Sequence, residues 1–394
     1  MNKLIQEWKI NHKLEQAQFS GIASVIEKAN KLGPDIIRLE VGDVDFNPPA
    51  SILAGIQEAF QKRLTHYPPL QGNQELIKQI VLLLKNENIE VTEDQVLICS
   101  GGSMGIYLAM QSLLNPGDDV LIFEPIWPHL VEMLVLAGVN PIKIRLDKDN
   151  RFHFDVDLIE GYITKKTKAI VINTPNNPTG TVYEEHEIKQ LIDLCQKHNM
   201  IIISDEEYRV FTYGENKHIS PLRYYDATIV CRSFSKTLSI SGLRIGYMVG
   251  PVNWISSIKK LKLFTTMYSS SVVQYAIAKE LSDPSSFIKD MVETFEKRMH
   301  IITEGLADIN GVRCIASEGS VYLWLDCSQI NQDDKFVADK LLYDGKVAVV
   351  PGSYFGESGI GFLRLSLGAS EAHIIEAVKR MRDIFQKIQS VYVG

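Results

Sequence analysis

A serine-rich segment comes directly after the strand-like run Thr228-Cys231: Arg232-Ser233-Phe234-Ser235-Lys236-Thr237-Leu238-Ser239-Ile240-Ser241-Gly242-Leu243-Arg244. Taken alone, a lysine among serines could simply be exposed. Two more polar segments follow strand-like runs in the same way: Asn173-Thr174-Pro175-Asn176-Asn177-Pro178-Thr179-Gly180 and Asp205-Glu206-Glu207-Tyr208. Because ligands bind beyond the carboxyl ends of parallel strands, this order predicts that the three segments share one site.

From residue 96 to residue 249, short β-rich runs alternate with amphipathic stretches. This alternation predicts an α/β fold in which helices cover both faces of a mostly parallel, seven-stranded sheet. After residue 270 the pattern is helical and then offers further strand candidates, which predicts a smaller α+β domain. We expect a large domain over residues 46–285 and a small domain made of residues 1–45 and 286–394. The predicted strands are Val96-Cys99, Val120-Phe123, Ile142-Arg145, Ala169-Ile172, Ile201-Ser204, Thr228-Cys231 and Gly246-Val249 in the large domain, and Val312-Ile315, Tyr322-Leu325, Val347-Val349 and Phe362-Leu365 in the small one.

Composition narrows the class of partner. Of 394 residues, 41 are Lys or Arg and 48 are Asp or Glu, so the net charge of −7 offers no general attraction for nucleic acid or anionic membranes. Apolar runs are strand-sized, and none reaches the length of a membrane helix. The five cysteines form no CxxC pair and the histidines no HExxH motif, which predicts a reduced, cytoplasmic protein without a metal site.

A glycine-rich loop, Ser100-Gly101-Gly102-Ser103-Met104-Gly105, follows the first strand candidate. Glycines before a helix let backbone N–H groups approach an anion, although the same loop could simply pack a helix onto the sheet. Neither the dinucleotide fingerprint nor the P-loop pattern is complete here. The loop therefore argues against a nicotinamide oxidoreductase and against a nucleotide triphosphatase.

In both motif and order, the chain resembles the class I/II aminotransferases, the aspartate aminotransferase-like branch of the fold-type I pyridoxal-phosphate enzymes. The resemblance covers nearly the whole chain. Its motifs are Glu40-Val41-Gly42-Asp43, the Gly101-Gly102 loop, Asn176-Asn177-Pro178-Thr179-Gly180, Asp205-x-x-Tyr208, Ser233-x-Ser235-Lys236 with Arg244, and Phe362-Leu363-Arg364-Leu365-Ser366.

The resemblance implies pyridoxal 5′-phosphate as cofactor and gives five residues roles around its ring. Lys236 forms the Schiff base with the cofactor aldehyde and moves protons as general acid and base. Asp205 pairs with the pyridine nitrogen, while Tyr208 and Asn177 hydrogen-bond the phenolic oxygen. Trp127 stacks on the ring, with a core tryptophan as the alternative.

By the same resemblance, hydrogen-bond donors surround the cofactor phosphate. These donors are Gly102, Ser103, Ser233, Ser235 and Arg244. Tyr67 matches a tyrosine that reaches the phosphate of the neighbouring subunit, which implies a homodimer with shared active sites.

The implied substrates are an amino acid and a 2-oxo acid. Arg364 grips their α-carboxylate as a fork, assisted by Asn177 and the Gly42 backbone. The sequence says less about the pocket for the substrate side chain. Its candidate lining residues are Phe19, Ile22, Tyr268 and Ser269-Ser271, and the identity of the substrate stays open.

Several reactions remain possible on this fold. The leading hypothesis is a ping-pong transamination. The alternatives with the same cofactor are a β-eliminating C–S lyase or an enzyme of specialised metabolism, but the lyase branch usually carries histidine where Tyr208 stands. A cofactor-sensing regulator is more remote, because such regulators resemble fusions with an N-terminal DNA-binding module and only about 45 residues precede the first motif here.

Overall fold

The computed structural model describes residues 11–315 and 317–392. Its central element is a seven-stranded sheet in the order β2-β8-β7-β6-β5-β3-β4. The strands of the chain are β1 (Ile37–Arg38), β2 (Val96–Cys99), β3 (Asp119–Glu124), β4 (Asn140–Arg145), β5 (Thr167–Asn173), β6 (Ile201–Asp205), β7 (Thr228–Ser233), β8 (Gly246–Val249), β9 (Arg313–Ile315), β10 (Tyr322–Asp326), β11 (Val347–Ala348), β12 (Val350–Pro351) and β13 (Phe362–Ser366).

Parallel pairing dominates the central sheet, as predicted. Strands β4, β3, β5, β6 and β7 run parallel to one another, and β8 is antiparallel to the strands on either side of it, β2 and β7. Strand β4 lies at one edge, where Pro141 is tolerated because an edge strand leaves one row of N–H groups without a ladder partner.

Helices cover both faces of this sheet. The helices of the described chain are α1 (His12–Gln16), α2 (Gly21–Leu32), α3 (Ala50–Gln61), α4 (Gln74–Asn86), α5 (Gly102–Leu113), α6 (Pro128–Ala137), α7 (Val156–Glu160), α8 (Glu185–His198), α9 (Val252–Phe264), α10 (Ser271–Ser282), α11 (Phe287–Leu306), α12 (Asp334–Tyr343) and α13 (Glu371–Tyr392). Within β5, Ala169 and Val171 pack in the apolar cluster under α5, α6 and α9, whereas Ile170 and Ile172 pack in the cluster under α8. The strand is apolar from residue 169 to residue 172 because both of its faces are buried there.

A second sheet of four antiparallel strands, β12-β13-β10-β9, packs with α11 and α13 in a separate apolar cluster. The predicted single strand Val347-Val349 is wrong. The chain leaves the parallel β1–β11 pair at Ala348, passes through Val349 and joins the four-stranded sheet at Val350, so two short strands replace one.

Pro284 lies in the short break that separates α10 from α11. The domain boundaries at residues 46 and 285 stay predictions, and residues 1–10, 316, 393 and 394 of the proposed small domain lie outside the described residues. Within residues 11–315 and 317–392, no helix combines the length and the apolar character that crossing a bilayer requires.

Candidate active site

Three neighbouring strands end at one cavity of about 350 Å³. Asn173, Asp205 and Ser233 are the last residues of β5, β6 and β7, and all three side chains line it. The three polar segments that follow these strands in the sequence therefore meet at one cavity. This edge of the sheet is where the α/β architecture places a ligand site.

Lys236 lies in a tight turn that begins where β7 ends. The Ser235 N–H donates to the Ser233 hydroxyl at 2.9 Å, and the Ile240 N–H closes the turn onto the Ser235 carbonyl at 3.0 Å. The Lys236 ammonium enters the cavity and reaches the Asp43 carboxylate at 3.4 Å. Asp43 also accepts a hydrogen bond from Ser241 at 2.9 Å, so it is held in position opposite the lysine.

Asp205 is a buried carboxylate, 6% exposed, that pairs with no cation among the described residues. Its one side-chain hydrogen bond comes from the Glu207 N–H at 3.2 Å. Burial, together with the nearby negative charges of Glu207 and Glu206, raises the pKa of Asp205 to about 8. A cationic group placed against it would remove the reason for that shift.

Glu206, the next residue along, has the opposite environment. It is fully buried, but the Arg232 guanidinium donates to it at 2.8 Å and Ser204 and Ser220 also donate. Although burial opposes ionisation, the charge of Arg232 lowers the pKa of Glu206. Glu206 thus forms a buried ion pair outside the cavity lining, whereas Asp205 lines the cavity.

A set of donors, called here the donor cup, lines the opposite part of the cavity. Its members are Gly102, Ser103, Ser233, Ser235 and Arg244. The preceding Gly101 has a positive φ of 90°, and a Cβ there would lie 2.6 Å from the Arg244 Nη2 atom. Gly101 therefore lets the guanidinium and the N-terminus of α5 approach each other, so a cation and free backbone N–H groups converge on the cup.

Arg364, on β13, closes another part of the cavity and is only 2% exposed. It donates to the Asn177 Oδ1 atom at 3.2 Å and to the Glu40 carbonyl at 2.6 Å, and the Tyr322 ring lies 4.2 Å from its guanidinium carbon. Its Nε has no hydrogen-bond partner in the described chain. Burial lowers the pKa of Arg364, which indicates a guanidinium short of anionic contacts.

Tyr322 lines the cavity, although the sequence gave it no role in the site. Its hydroxyl lies 3.2 Å from the hydroxyl of Tyr208, and a Cβ on Gly42 would lie 1.7 Å from the same Tyr322 oxygen. Only glycine therefore fits at position 42 against this ring. Burial raises the pKa of Tyr208 well above its ordinary value, so the Tyr208 hydroxyl stays protonated at neutral pH.

Of the remaining predicted residues, some line the cavity and others lie outside it. Trp127 lines the cavity at the start of α6 and stacks on His129 with ring centroids 4.5 Å apart. Tyr67 does not line it: the side chain is 79% exposed and stacks on Tyr268 at 4.7 Å. Of the candidate side-chain pocket, Ile22 lines the cavity, whereas Phe19 lines a neighbouring one.

Among the other lining residues, Asp43 and Glu207 are charged groups to which the sequence gave no role. Both lie inside quoted motifs, Asp43 in Glu40-Val41-Gly42-Asp43 and Glu207 in Asp205-x-x-Tyr208, and this position was the available signal. Tyr322 gave no such signal, because only the pairing of β10 with β13 brings it to Arg364.

The model of the family "Aminotransferase class I and II" matches residues 34–381. The chain belongs to this family. Pyridoxal 5′-phosphate is the cofactor of the class I and II aminotransferases as a family. The family, the enzyme class and the α/β fold expected from the sequence are confirmed.

Similar aminotransferases match along nearly their whole length. The chain is 34% identical over 378 residues to a probable aspartate/prephenate aminotransferase of Aquifex aeolicus, covering 93% of this chain and 95% of that one. It is 30% identical over 385 residues to the aromatic-amino-acid aminotransferase 2 of Thermococcus litoralis, covering 96% and 98%. The solved structure of Thermus thermophilus aspartate aminotransferase with maleate superposes with a TM-score of 0.91 at 29% identity, covering 96% of this chain and all of that one.

Proposed function

We propose that this aminotransferase uses pyridoxal 5′-phosphate to move the α-amino group of an amino acid to a 2-oxo acid by a ping-pong route. One observation carries the proposal: an amine, an unpaired buried carboxylate and a buried arginine with a free N–H face the same cavity. These are Lys236, Asp205 and Arg364. The bound cofactor would supply an electron sink for the bonds of the substrate α-carbon.

The cavity fits such a cofactor at three points. Asp205 would pair with a protonated pyridine nitrogen, and that cation would remove the unfavourable burial that raises its pKa. The donor cup offers a guanidinium, three serine hydroxyls and a helix N-terminus to a phosphate dianion. The Lys236 amine lines the same cavity and would bind the cofactor aldehyde covalently.

In the reaction, Lys236 Nζ would take the proton from the substrate α-carbon and hold it as an ammonium. It would then return the proton to carbon while the amino group is transferred. Asp43, 3.4 Å from that nitrogen, would stabilise the ammonium form of the lysine between the two transfers. Tyr208, whose hydroxyl remains protonated, would donate to the cofactor phenolic oxygen, with Asn177 beside it. Trp127 would cover one face of the ring.

Arg364 would orient the substrate. Its planar fork can hold a carboxylate by two hydrogen bonds, and the unpartnered Nε is available for one of them. A shared carboxylate contact selects α-amino and 2-oxo acids over simple amines. The names of the relatives include aspartate and aromatic amino acids, so both classes belong in a substrate screen.

We also propose a homodimer whose subunits complete each other's sites. Tyr67 is exposed and lies outside the cavity of its own chain, and Phe264, 82% exposed, is a further large apolar side chain left uncovered. Exposed aromatic side chains are typical of protein interfaces. In such a dimer the Tyr67 hydroxyl would donate to the cofactor phosphate of the partner.

A half-reaction screen tests the proposed activity. The purified protein, loaded with pyridoxal 5′-phosphate, receives one amino acid at a time, and both the 2-oxo acid and ammonia are measured. Transamination releases one 2-oxo acid per site and no ammonia, and a second 2-oxo acid then restores the starting spectrum. Ammonia released in step with the oxo acid would instead establish a β-elimination and overturn the proposal.

A further inference from the structure

One cavity residue has no place in the proposed chemistry. Glu207 lies between Asp205 and the donor cup, and a Cβ placed on Gly102 would come within 3.0 Å of its Oε2 atom. Its carboxylate therefore lies against the first turn of α5. The Ser233 hydroxyl and the Lys236 backbone N–H face the same carboxylate as donors.

Of these neighbours, Ser233 and the first turn of α5 belong to the donor cup that would bind a phosphate. The charges of Lys236 and Arg244 also act on Glu207, so the carboxylate faces the same cations and the same helix N-terminus as the cup itself. Glu207 is thus an anion of the chain's own, placed among donors suited to a bound anion. A phosphate dianion entering the cup would meet this negative charge at close range.

We propose that the Glu207 carboxylate satisfies the donor cup in the cofactor-free chain and takes up a proton when a phosphate enters. The proposal rests on the cofactor assignment made above. The carboxyl takes up the proton rather than leaving the cup, because moving inward would bring its charge closer to Asp205, which has no cationic partner. Tyr208, the other titratable neighbour, remains neutral and cannot compensate the charge.

The electrostatics set the size of the effect. Burial raises the pKa of Glu207 to about 7, and the charges of Lys236 and Arg244 and the Ser233 donor limit the rise. At pH 8 the ionised form outnumbers the protonated form by about ten to one, so phosphate that binds only the protonated form binds about tenfold more weakly. At pH 6 most of the carboxyl is already protonated and the effect disappears.

The test compares the wild type with Glu207→Gln, a neutral variant of the same shape, after removal of the cofactor from the full-length protein. Inorganic phosphate binding is measured by calorimetry at pH 6 and pH 8, and the difference between the two proteins cancels the titration of phosphate itself. We expect Glu207→Gln to bind phosphate about tenfold more tightly at pH 8 and equally at pH 6. Repeating the pH 8 titration in buffers of different ionisation enthalpy should show close to one additional proton taken up by the wild type.

Glu215→Gln is the matched control, because it removes the same charge from an exposed position remote from the cup. It should behave as wild type, and thermal unfolding should show that both variants are folded. Equal phosphate affinities of wild type and Glu207→Gln at pH 8, or no phosphate binding by either, would overturn the proposal.

Pyridoxal 5′-phosphate, as a second probe, separates this proposal from the proposed function. If phosphate binding differs as expected but the cofactor forms no bond with Lys236, the role of Glu207 stands and the cofactor assignment fails. If the bond forms while the phosphate affinities are equal, the cofactor assignment stands and the role of Glu207 is refuted.

Discussion

Replacing Asp205 by asparagine should stabilise the cofactor-free protein and inactivate the loaded one. The stabilising part follows from the burial of a carboxylate without a cationic partner, which raises its pKa from 3.8 to about 8. The folded state then holds a proton that the unfolded chain has released, so the free energy of unfolding falls as pH rises between these two values. Asparagine keeps the acceptor for the Glu207 N–H and removes the charge.

The size of the gain follows from the same pKa values. Each pH unit between 3.8 and 7 costs the wild type about 1.36 kcal/mol, so Asp205→Asn should gain up to about 4 kcal/mol at pH 7. Below pH 4 the carboxyl is protonated in both states and the advantage should vanish. Glu206→Gln, one residue away, is the contrasting variant: it breaks the buried pair with Arg232 and should destabilise by about 3 to 5 kcal/mol.

The assay is denaturant unfolding of the cofactor-free proteins at pH 4 and pH 7, followed by exchange of the substrate α-hydrogen in the loaded proteins. Exchange should slow by about hundredfold or more in Asp205→Asn, because an amide cannot hold the pyridine nitrogen in its protonated form. An Asp205→Asn protein less stable than wild type at pH 7, or an equal gain at pH 4, would refute the burial argument. Normal exchange would refute the role of Asp205 in the reaction.

Three further predictions follow from other contacts. Arg364→Leu should lower kcat/KM about hundredfold or more for every amino acid tested, because a shared carboxylate contact is lost, and a loss confined to one substrate would contradict this. His153 is partly buried between Glu187 and Glu318. Although burial opposes its charge, their hydrogen bonds raise its pKa to about 9. Its stabilisation relative to His153→Gln, at most about 3 kcal/mol, should be complete below pH 6.5 and be lost as pH rises through 9, which unfolding at pH 6 and pH 10 would measure. Tyr67→Phe should weaken cofactor binding by about 1.5 to 3 kcal/mol, yet a hybrid dimer with a Lys236→Ala subunit should keep one site of wild-type affinity; a weakened site in the hybrid would place Tyr67 in the site of its own chain.

The large sheet could be predicted from the sequence because its strands are marked locally. Runs such as Ile170-Ile172 are apolar on both faces, and the polar residues Asn173, Asp205 and Ser233, which end three of the strands, mark the position of the cavity. The order of the strands could not be predicted in this way, since the antiparallel insertion of β8 between β2 and β7 depends on packing between distant segments. Likewise, the break at Val349 follows from two sheets competing for adjacent residues.

Within the site, residues inside motifs were predictable and residues brought in by tertiary structure were not. Lys236, Asp205 and Arg364 belong to segments whose order indicated a common cavity, and they line one. Tyr322 comes from a strand with no polar signal, and the position of Asp43 opposite Lys236 depends on the loop after β1. The contact of Glu207 with Gly102 depends on the fold, and no spacing along the chain reveals it.

The central claim is that Lys236 is the residue that bonds to pyridoxal 5′-phosphate in this cavity. Borohydride reduction of the loaded protein makes such a bond permanent, and tryptic mapping then locates it. We predict one modified peptide, Ser233 to Arg244, with cleavage blocked at Lys236, and none in Lys236→Ala. A reduced adduct on another lysine, such as Lys259 or Lys260, or no adduct at all, would contradict the assignment of Lys236.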